Sequence, residues 1–342
     1  MSKSRRHHVT QPGSEIPRFI IWFFGLAGLV AAITSVILLA PRVIEFFTED
    51  EPANDNRTWL TAVWTQQDRP IEDVTELVRL LEGHRVTAAY VQTNRWHGLT
   101  GEYIELPYTQ NFLQRFRNKS STIKLYVWLI MDYDQLLDAN ATGQVLAFAE
   151  RAIIELGFDG IHLQVRSVPD NSEDFIALLR DLRTAIGPRI PLSITVPPDR
   201  IPADPDVPMG ISPANELTWS QEYKRRVLLN VNEVVLMAHA SGLTTELDYE
   251  RWLGYQIQTY ADLLNELQID IKYVAALPTY AAEFAHDPAV ENVPTALKGV
   301  DEAEKRSPQV KKKLSGTGIY PWDEAGAEVL LYYWEHWVKR EN

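Results

Sequence analysis

Apolar positions along most of this chain recur in two alternating rhythms. Short runs in which apolar side chains dominate, or alternate with polar ones, cover 59–65, 86–93, 123–131, 161–166, 191–196, 233–238, 272–277 and 318–320. Between them lie segments with apolar residues three and four apart: 71–82, 110–117, 141–156, 172–186, 220–230, 249–267, 293–306 and 324–338. The first rhythm is that of strands, the second that of amphipathic helices. In 71–82, Val74, Leu77, Val78 and Leu81 share one helical face. Eight strand–helix units in about 280 residues are the size of a closed (β/α)8 barrel, the TIM barrel. An open doubly wound sheet uses the same alternation but normally carries a Gly-rich turn after its first strand. The turn after Trp64, TQQDRP, has no Gly. The predicted fold is therefore an α/β barrel over 58–340.

A different pattern precedes it. Residues 19–39, FIIWFFGLAGLVAAITSVILL, hold no charge and only Thr34 and Ser35 as polar members. The run is about 21 residues long, enough to cross roughly 30 Å of hydrocarbon as a helix. A cleavable signal peptide would have a shorter apolar region and an accessible bond after a small residue; here Pro41 follows Ala40 directly. The expectation is a single uncleaved transmembrane anchor over 19–40. Lys3, Arg5, Arg6 and Arg18 precede it, and Glu45, Glu49, Asp50 and Glu51 follow it against Arg42 alone. Positive flanks stay in the cytoplasm. Residues 1–18 are thus read as a short cytoplasmic tail, and the barrel as extracytoplasmic at the cell membrane. Residues 41–57 form a polar linker ending EDEPANDNR. His7-His8 reads as part of a solvated tail rather than a metal site.

Composition narrows the partners. A hydrophobic share of 45% in 342 residues suits a large core. The tail carries +3, which leaves −16 on the remainder of a chain whose total is −13. An acidic body argues against nucleic acid as a partner, since phosphate binding needs clustered Lys and Arg. There is no cysteine, which excludes disulfides, thiol catalysis and thiolate metal sites.

The fourth strand is the anomaly. In Gly157-Phe158-Asp159-Gly160-Ile161-His162-Leu163-Gln164-Val165-Arg166, a helix end and a tight turn lead into alternating residues. Ile161, Leu163 and Val165 take one face; His162, Gln164 and Arg166 take the other. A strand between helices in a βα unit normally has both faces buried, so a polar trio needs an explanation.

This stretch resembles the fourth barrel strand of family-18 glycoside hydrolases, the chitinase-like enzymes, whose signature there is D-G-x-D-x-D-x-E. Asp159 and Gly160 match its scaffold half. The resemblance extends to 171–182, 191–197, 233–242 and 316–322 by order and spacing. It implies a TIM barrel with a sugar-binding mouth, in which the last Glu of the motif is the general acid. The Asp two residues earlier helps the substrate's acetamido group act as nucleophile. Here Arg166 takes the acid's place and Gln164 the Asp's, with His162 at the preceding Asp. A guanidinium cannot cycle a proton, and an amide supplies no charge. On the sixth strand His239 and Ala240 stand where Tyr and Asp are usual. Loss of a general acid alone forfeits about 10²–10⁴-fold in rate. No catalysis is therefore expected at the family positions.

Other residues are candidates for the mouth. Asp132, Asp134, Asp199, Glu283, Asp323 and Glu324 follow strand ends, where barrel enzymes work, and could supply relocated carboxylates; Asp323 also suits a helix cap. His162 and His239 read as a hydrogen-bonded core pair rather than metal ligands, so neither metal nor cofactor is expected. Arg166 requires a carboxylate partner, from Asp132, Glu283 or Asp323, because a buried unpaired charge is costly; alternatively Arg166 and His239 receive an anionic group. Trp64, Trp96, Trp219, Tyr280 and Trp322 sit at or just past strand ends. Trp322 is expected to line the cleft, as the resemblance implies; Trp96 and Trp219 suit cleft or packing equally. Lys311-Lys312-Lys313 reads as a solvated turn before an acidic-polymer contact.

Three readings follow. The first is a membrane-anchored, non-hydrolytic, glycosidase-like barrel that binds a cell-surface glycan or polymer. The second is an active glycoside hydrolase with relocated carboxylates. The third is an assembly subunit that uses the barrel as a docking body for protein partners.

Overall fold

The computed structural model describes residues 55–97, 101–210 and 218–340. Eight parallel strands close into a barrel in the order β1-β2-β5-β6-β7-β8-β9-β10 and back to β1. They are β1 Asn56–Leu60, β2 Val86–Gln92, β5 Lys124–Asp132, β6 Gly160–Arg166, β7 Leu192–Val196, β8 Glu233–Leu236, β9 Lys272–Pro278 and β10 Gly316–Tyr320. Around them run α1 Ile71–Gly83, α2 Thr109–Arg117, α3 Tyr133–Leu136, α4 Ala139–Ile154, α5 Glu173–Ile186, α6 Gln221–Leu228, α7 Glu246–Leu267, α8 Val293–Arg306, α9 Pro308–Lys313 and α10 Ala327–Tyr333. The barrel predicted from the two rhythms is the barrel observed. The expected 19–40 anchor lies outside the described residues; among those described, no helix is long and apolar enough to cross a membrane.

Helix starts follow local chemistry. The hydroxyl of Ser172 accepts from the backbone N–H of Phe175 at 3.2 Å, and that of Ser220 from Tyr223 at 3.2 Å. Each satisfies a donor that the first helical turn leaves open.

Strand alternation sorts the core into two layers. Outward residues such as Leu60, Val127, Ile161, Ile194, Leu236 and Leu277 are buried against the helices. Inward, Trp59, Tyr90, Tyr126, Trp128, Val235 and Val274 fill the barrel itself. Trp59 and Tyr90 lie 4.8 Å apart, centroid to centroid. Gly318 makes room for this filling, since a Cβ there would come within 2.8 Å of the Trp59 ring.

The edges differ from the sequence reading in several places. Lys311, Lys312 and Lys313, read as a turn, close helix α9, and the strand read over 233–238 ends at Leu236. The first strand starts at Asn56, inside the stretch read as linker, and ends at Leu60 rather than at 65. The reason is Arg57, whose guanidinium turns inward to Glu233 with Nε–Oε2 and Nη2–Oε2 distances of 2.9 and 2.6 Å. After Leu60 the chain turns into a 3-10 segment, Ala62–Trp64, because Asp323 accepts from both the Thr61 backbone N–H and the Trp64 indole. The loop after β2 contains a hairpin of its own, β3 Asn94–Trp96 and β4 Tyr103–Glu105.

Candidate functional site

The inward row of β6 climbs from base to mouth through His162, Gln164 and Arg166. His162 is fully buried. Its Nε2 faces the Trp59 indole N–H at 3.2 Å and its Nδ1 faces Ser193 Oγ at 2.8 Å. An indole N–H only donates. Nε2 is therefore the acceptor, and Nδ1 carries the proton and donates to Ser193. The ring stacks on Tyr90 at 3.8 Å. Burial, then the charge of Arg57, pushes its pKa well below the ordinary value, so the ring stays neutral.

One step up, Gln164 is also spoken for. Its Oε1 accepts from the Trp128 indole at 3.1 Å, and its Nε2 reaches the Met237 sulfur at 3.6 Å. Arg166 forms a two-pronged pair with Asp132, Nε to Oδ1 at 2.7 Å and Nη2 to Oδ2 at 3.0 Å. Parallel register sets Asp132 directly opposite Arg166. Arg166 is not inside the barrel as inferred from alternation: its side chain is 57% exposed, because it is the last residue of β6 and clears the filled core.

The expected His162–His239 pair does not form. His239 lies beyond the end of β8, and its Nδ1 meets the Tyr280 hydroxyl at 2.6 Å. Tyr320 stacks on its other side at 5.3 Å. Either tautomer of His239 satisfies this contact, because a hydroxyl can donate to a bare ring nitrogen or accept from a protonated one. The His239 Nε2 is buried and has no hydrogen-bond partner among the described residues. Burial lowers the His239 pKa to about 3; Glu291 opposes the shift, and His286 and Arg200 add to it.

Behind His239 lies a cluster that strand-end reasoning missed. Glu291 is buried and accepts from the Ala240 and Ser241 backbone N–H groups at 2.6 and 2.7 Å. It also accepts from His286 Nδ1 at 2.8 Å. The His286 ring in turn stacks on Tyr280 at 3.9 Å. These residues lie on the loop between β9 and α8, where no periodicity marks an inward side chain.

The carboxylates named as relocated acids are tied up or turned outward. Asp199 is buried against Lys224, 2.6 Å from Nζ. Asp323 clamps Thr61 and Trp64 rather than capping its own helix. Glu324 accepts from the Ala281 N–H at 3.3 Å. Asp134 and Glu283 are exposed.

The aromatic residues divide differently from expectation. Trp322 does not line the mouth. It is buried in the outer layer, 5.4 Å from the His84 ring, because the chain turns outward after Tyr320. Tyr320 takes the inward place, 5.2 Å from Trp59, 6.0 Å from Trp128 and 5.8 Å from Tyr280. Its parity with Gly316 and Gly318 was the available signal. Trp64 packs on Phe112, and Trp96 donates to the Ile130 carbonyl at 2.7 Å. Trp219 is buried and donates to the Val168 carbonyl at 2.9 Å, yet its ring also borders the cavity. That cavity, about 190 Å³, opens at the ends of β6–β8 between Gln164, Arg166, Thr195, Met237 and His239. Among the described residues no group of three or more His, Asp or Glu side chains could hold a metal ion.

No family model and no curated protein matches the sequence. Solved structures do resemble the fold. A chitinase from Bacteroides thetaiotaomicron superimposes with a TM-score of 0.53 at 12% identity, over 82% of this chain and 96% of that one. For the Rhizomucor miehei chitinase RmChi1 the score is 0.51 at 13% identity, over 82% and 98%. The Bacillus cereus spore cortex-lytic enzyme SleL gives 0.52 at 12%, over 84% and 76%. The fold is thus a chitinase-like TIM barrel.

Proposed function

We propose that this protein is a membrane-anchored, non-hydrolytic, glycosidase-like barrel whose mouth binds a cell-surface glycan or related polymer. The observation that carries the reading is the inward row of β6: His162, Gln164 and Arg166 include no acid, and each is held by a neighbouring side chain. A general acid must be within reach of the leaving oxygen and able to cycle a proton. Arg166 cannot cycle one, and its partner Asp132 is engaged by it. Binding is supported by a cavity edged by Gln164, Thr195, His239 and the Trp219 ring, with Tyr320 stacked behind His239. Aromatic faces with polar edges suit pyranose rings. At about 190 Å³ the cavity is smaller than the roughly 300–1,000 Å³ of ordinary ligand pockets. It suits a single ring or substituent, with the rest of a polymer lying over the rim. The apolar 19–39 run supports the anchor.

The test uses the full chain in detergent or nanodiscs, with N-acetylglucosamine oligomers and a panel of other polysaccharides. Binding without turnover is expected, weakened about tenfold in Tyr320→Ala. Robust turnover by the unaltered protein would overturn the non-hydrolytic reading, and its loss in Asp132→Asn would identify a relocated acid. Failure to bind any glycan would favour a docking body for protein partners.

A further inference from the structure

The two ends of the barrel carry opposite charge. The base is the face where helices hand over to the next strand. It exposes Arg85, Lys119, Lys124, Arg189, Lys311 and Lys312. Of the acids there, Asp55 is bound between Arg57 and Lys272, and Asp159 is held by Arg117 at 2.6 Å. Among the described residues Glu266 is held by Arg225 and Glu304 lies beside Lys311 and Arg340, which leaves Glu82, Glu155 and Asp270 as acids without a cation partner of their own. At the mouth the balance reverses, with Asp134, Asp138, Asp204, Asp206, Glu283 and Asp287 exposed against Arg95 and Arg166. The base is therefore a basic face on a chain whose net charge is −13.

Cations after helix ends complement helix dipoles, which accounts for some of them. The same face also exposes two large apolar side chains. Ile154, at the end of α4, is 70% exposed, and Leu229, just past α6, is 64% exposed. Those exposed at the mouth, Leu137, Ile201, Met209 and Phe284, stand among acids instead. Exposed aliphatic side chains among Lys and Arg are the composition of surfaces that rest in the headgroup region of an anionic bilayer.

Connectivity points the same way. The chain reaches β1 at the base, through Asp55. The apolar run ends at residue 39, and the chain from there to Asp55 can span at most about 58 Å. We propose that the base of the barrel docks on the anionic phospholipid headgroups of the membrane that anchors the chain, which turns the acidic mouth away from the bilayer. This rests on the anchored reading above.

The chain has no cysteine, so a single introduced thiol reports one place. Leu229→Cys at the base and Phe284→Cys at the mouth would each carry an environment-sensitive dye. The full-length proteins would be reconstituted in vesicles of phosphatidylcholine alone or of a phosphatidylglycerol-rich mixture, with a headgroup-bound quencher. Quenching at 229 should be about fivefold greater or more in the anionic vesicles, the factor a single cation near such a surface supplies. Quenching at 284 should not change. The difference at 229 should vanish in about 1 M salt, where the Debye length is about 3 Å. It should also vanish in Lys119→Glu/Lys124→Glu/Lys311→Glu/Lys312→Glu. Protein that floats with both kinds of vesicle but shows equal quenching at 229 in the two overturns the docking and leaves the anchor standing. Protein that floats with neither overturns both.

Discussion

Arg57 and Arg166 both belong to inward rows of the barrel, one near the base and one at the mouth, and each is paired with a carboxylate. Their surroundings differ. Arg57 is 1% exposed and held by Glu233, Asp55 and Thr87, while Tyr90 donates to the other Glu233 oxygen at 2.5 Å. Arg166 is 57% exposed and has Asp132, itself 49% exposed. Inside the barrel, water cannot replace a lost partner, so the Arg57 cluster locks β1 to β8 across the axis. At the mouth water screens the pair, and a ligand group can compete for either member. The same residue type is thus locked in place at one end and open to solvent at the other.

The comparison breaks most visibly at Glu233. Glu233→Ala leaves Arg57 buried without its main counter-charge and should lower the unfolding free energy by about 3–5 kcal/mol, measured by urea denaturation. A loss under about 1 kcal/mol would mean that water reaches the base cluster.

The buried histidines sharpen the picture through pH. The pKa values of His162 and His239 are depressed in the fold from the ordinary 6.5, that of His239 to about 3. Above pH 6.5 both rings are neutral folded and unfolded, and they contribute nothing. Below it the unfolded chain takes up protons that the fold refuses. Stability should then fall by up to about 1.4 kcal/mol per pH unit for each ring. The loss continues until the folded pKa is reached. Denaturation between pH 6.5 and about 5, above the ordinary carboxylate range, should show this slope, partly offset by Glu304 and Asp323, whose pKa values burial raises. His162→Gln should remove about half of it.

Asp132→Ala is the smallest expected effect. Breaking the exposed pair at the mouth should change stability by no more than about 1 kcal/mol. A larger loss in thermal or urea unfolding would place Arg166 in the structural frame rather than at an exchangeable rim.

Much of the frame was legible from local pattern. Backbone geometry fixes the periods of strands and helices, so the order of eight units and the alternation of Ile161 and Leu163 with His162 and Gln164 could be read along the chain. The absence of an acid at the positions of Gln164 and Arg166 is likewise a property of sequence alone. Partners were another matter. Asp132 meets Arg166, Trp59 meets His162 and Arg57 meets Glu233 because parallel register and closure of the sheet bring them together. Tyr320, not Trp322, faces the mouth because the chain leaves the barrel wall between them. The basic base collects residues from four helix-to-strand connections, each unremarkable by itself. Periodicity is set within an element by its own backbone. Contact across elements, and the charge of a whole face, depend on how the elements are stacked, and only the closed barrel decides that.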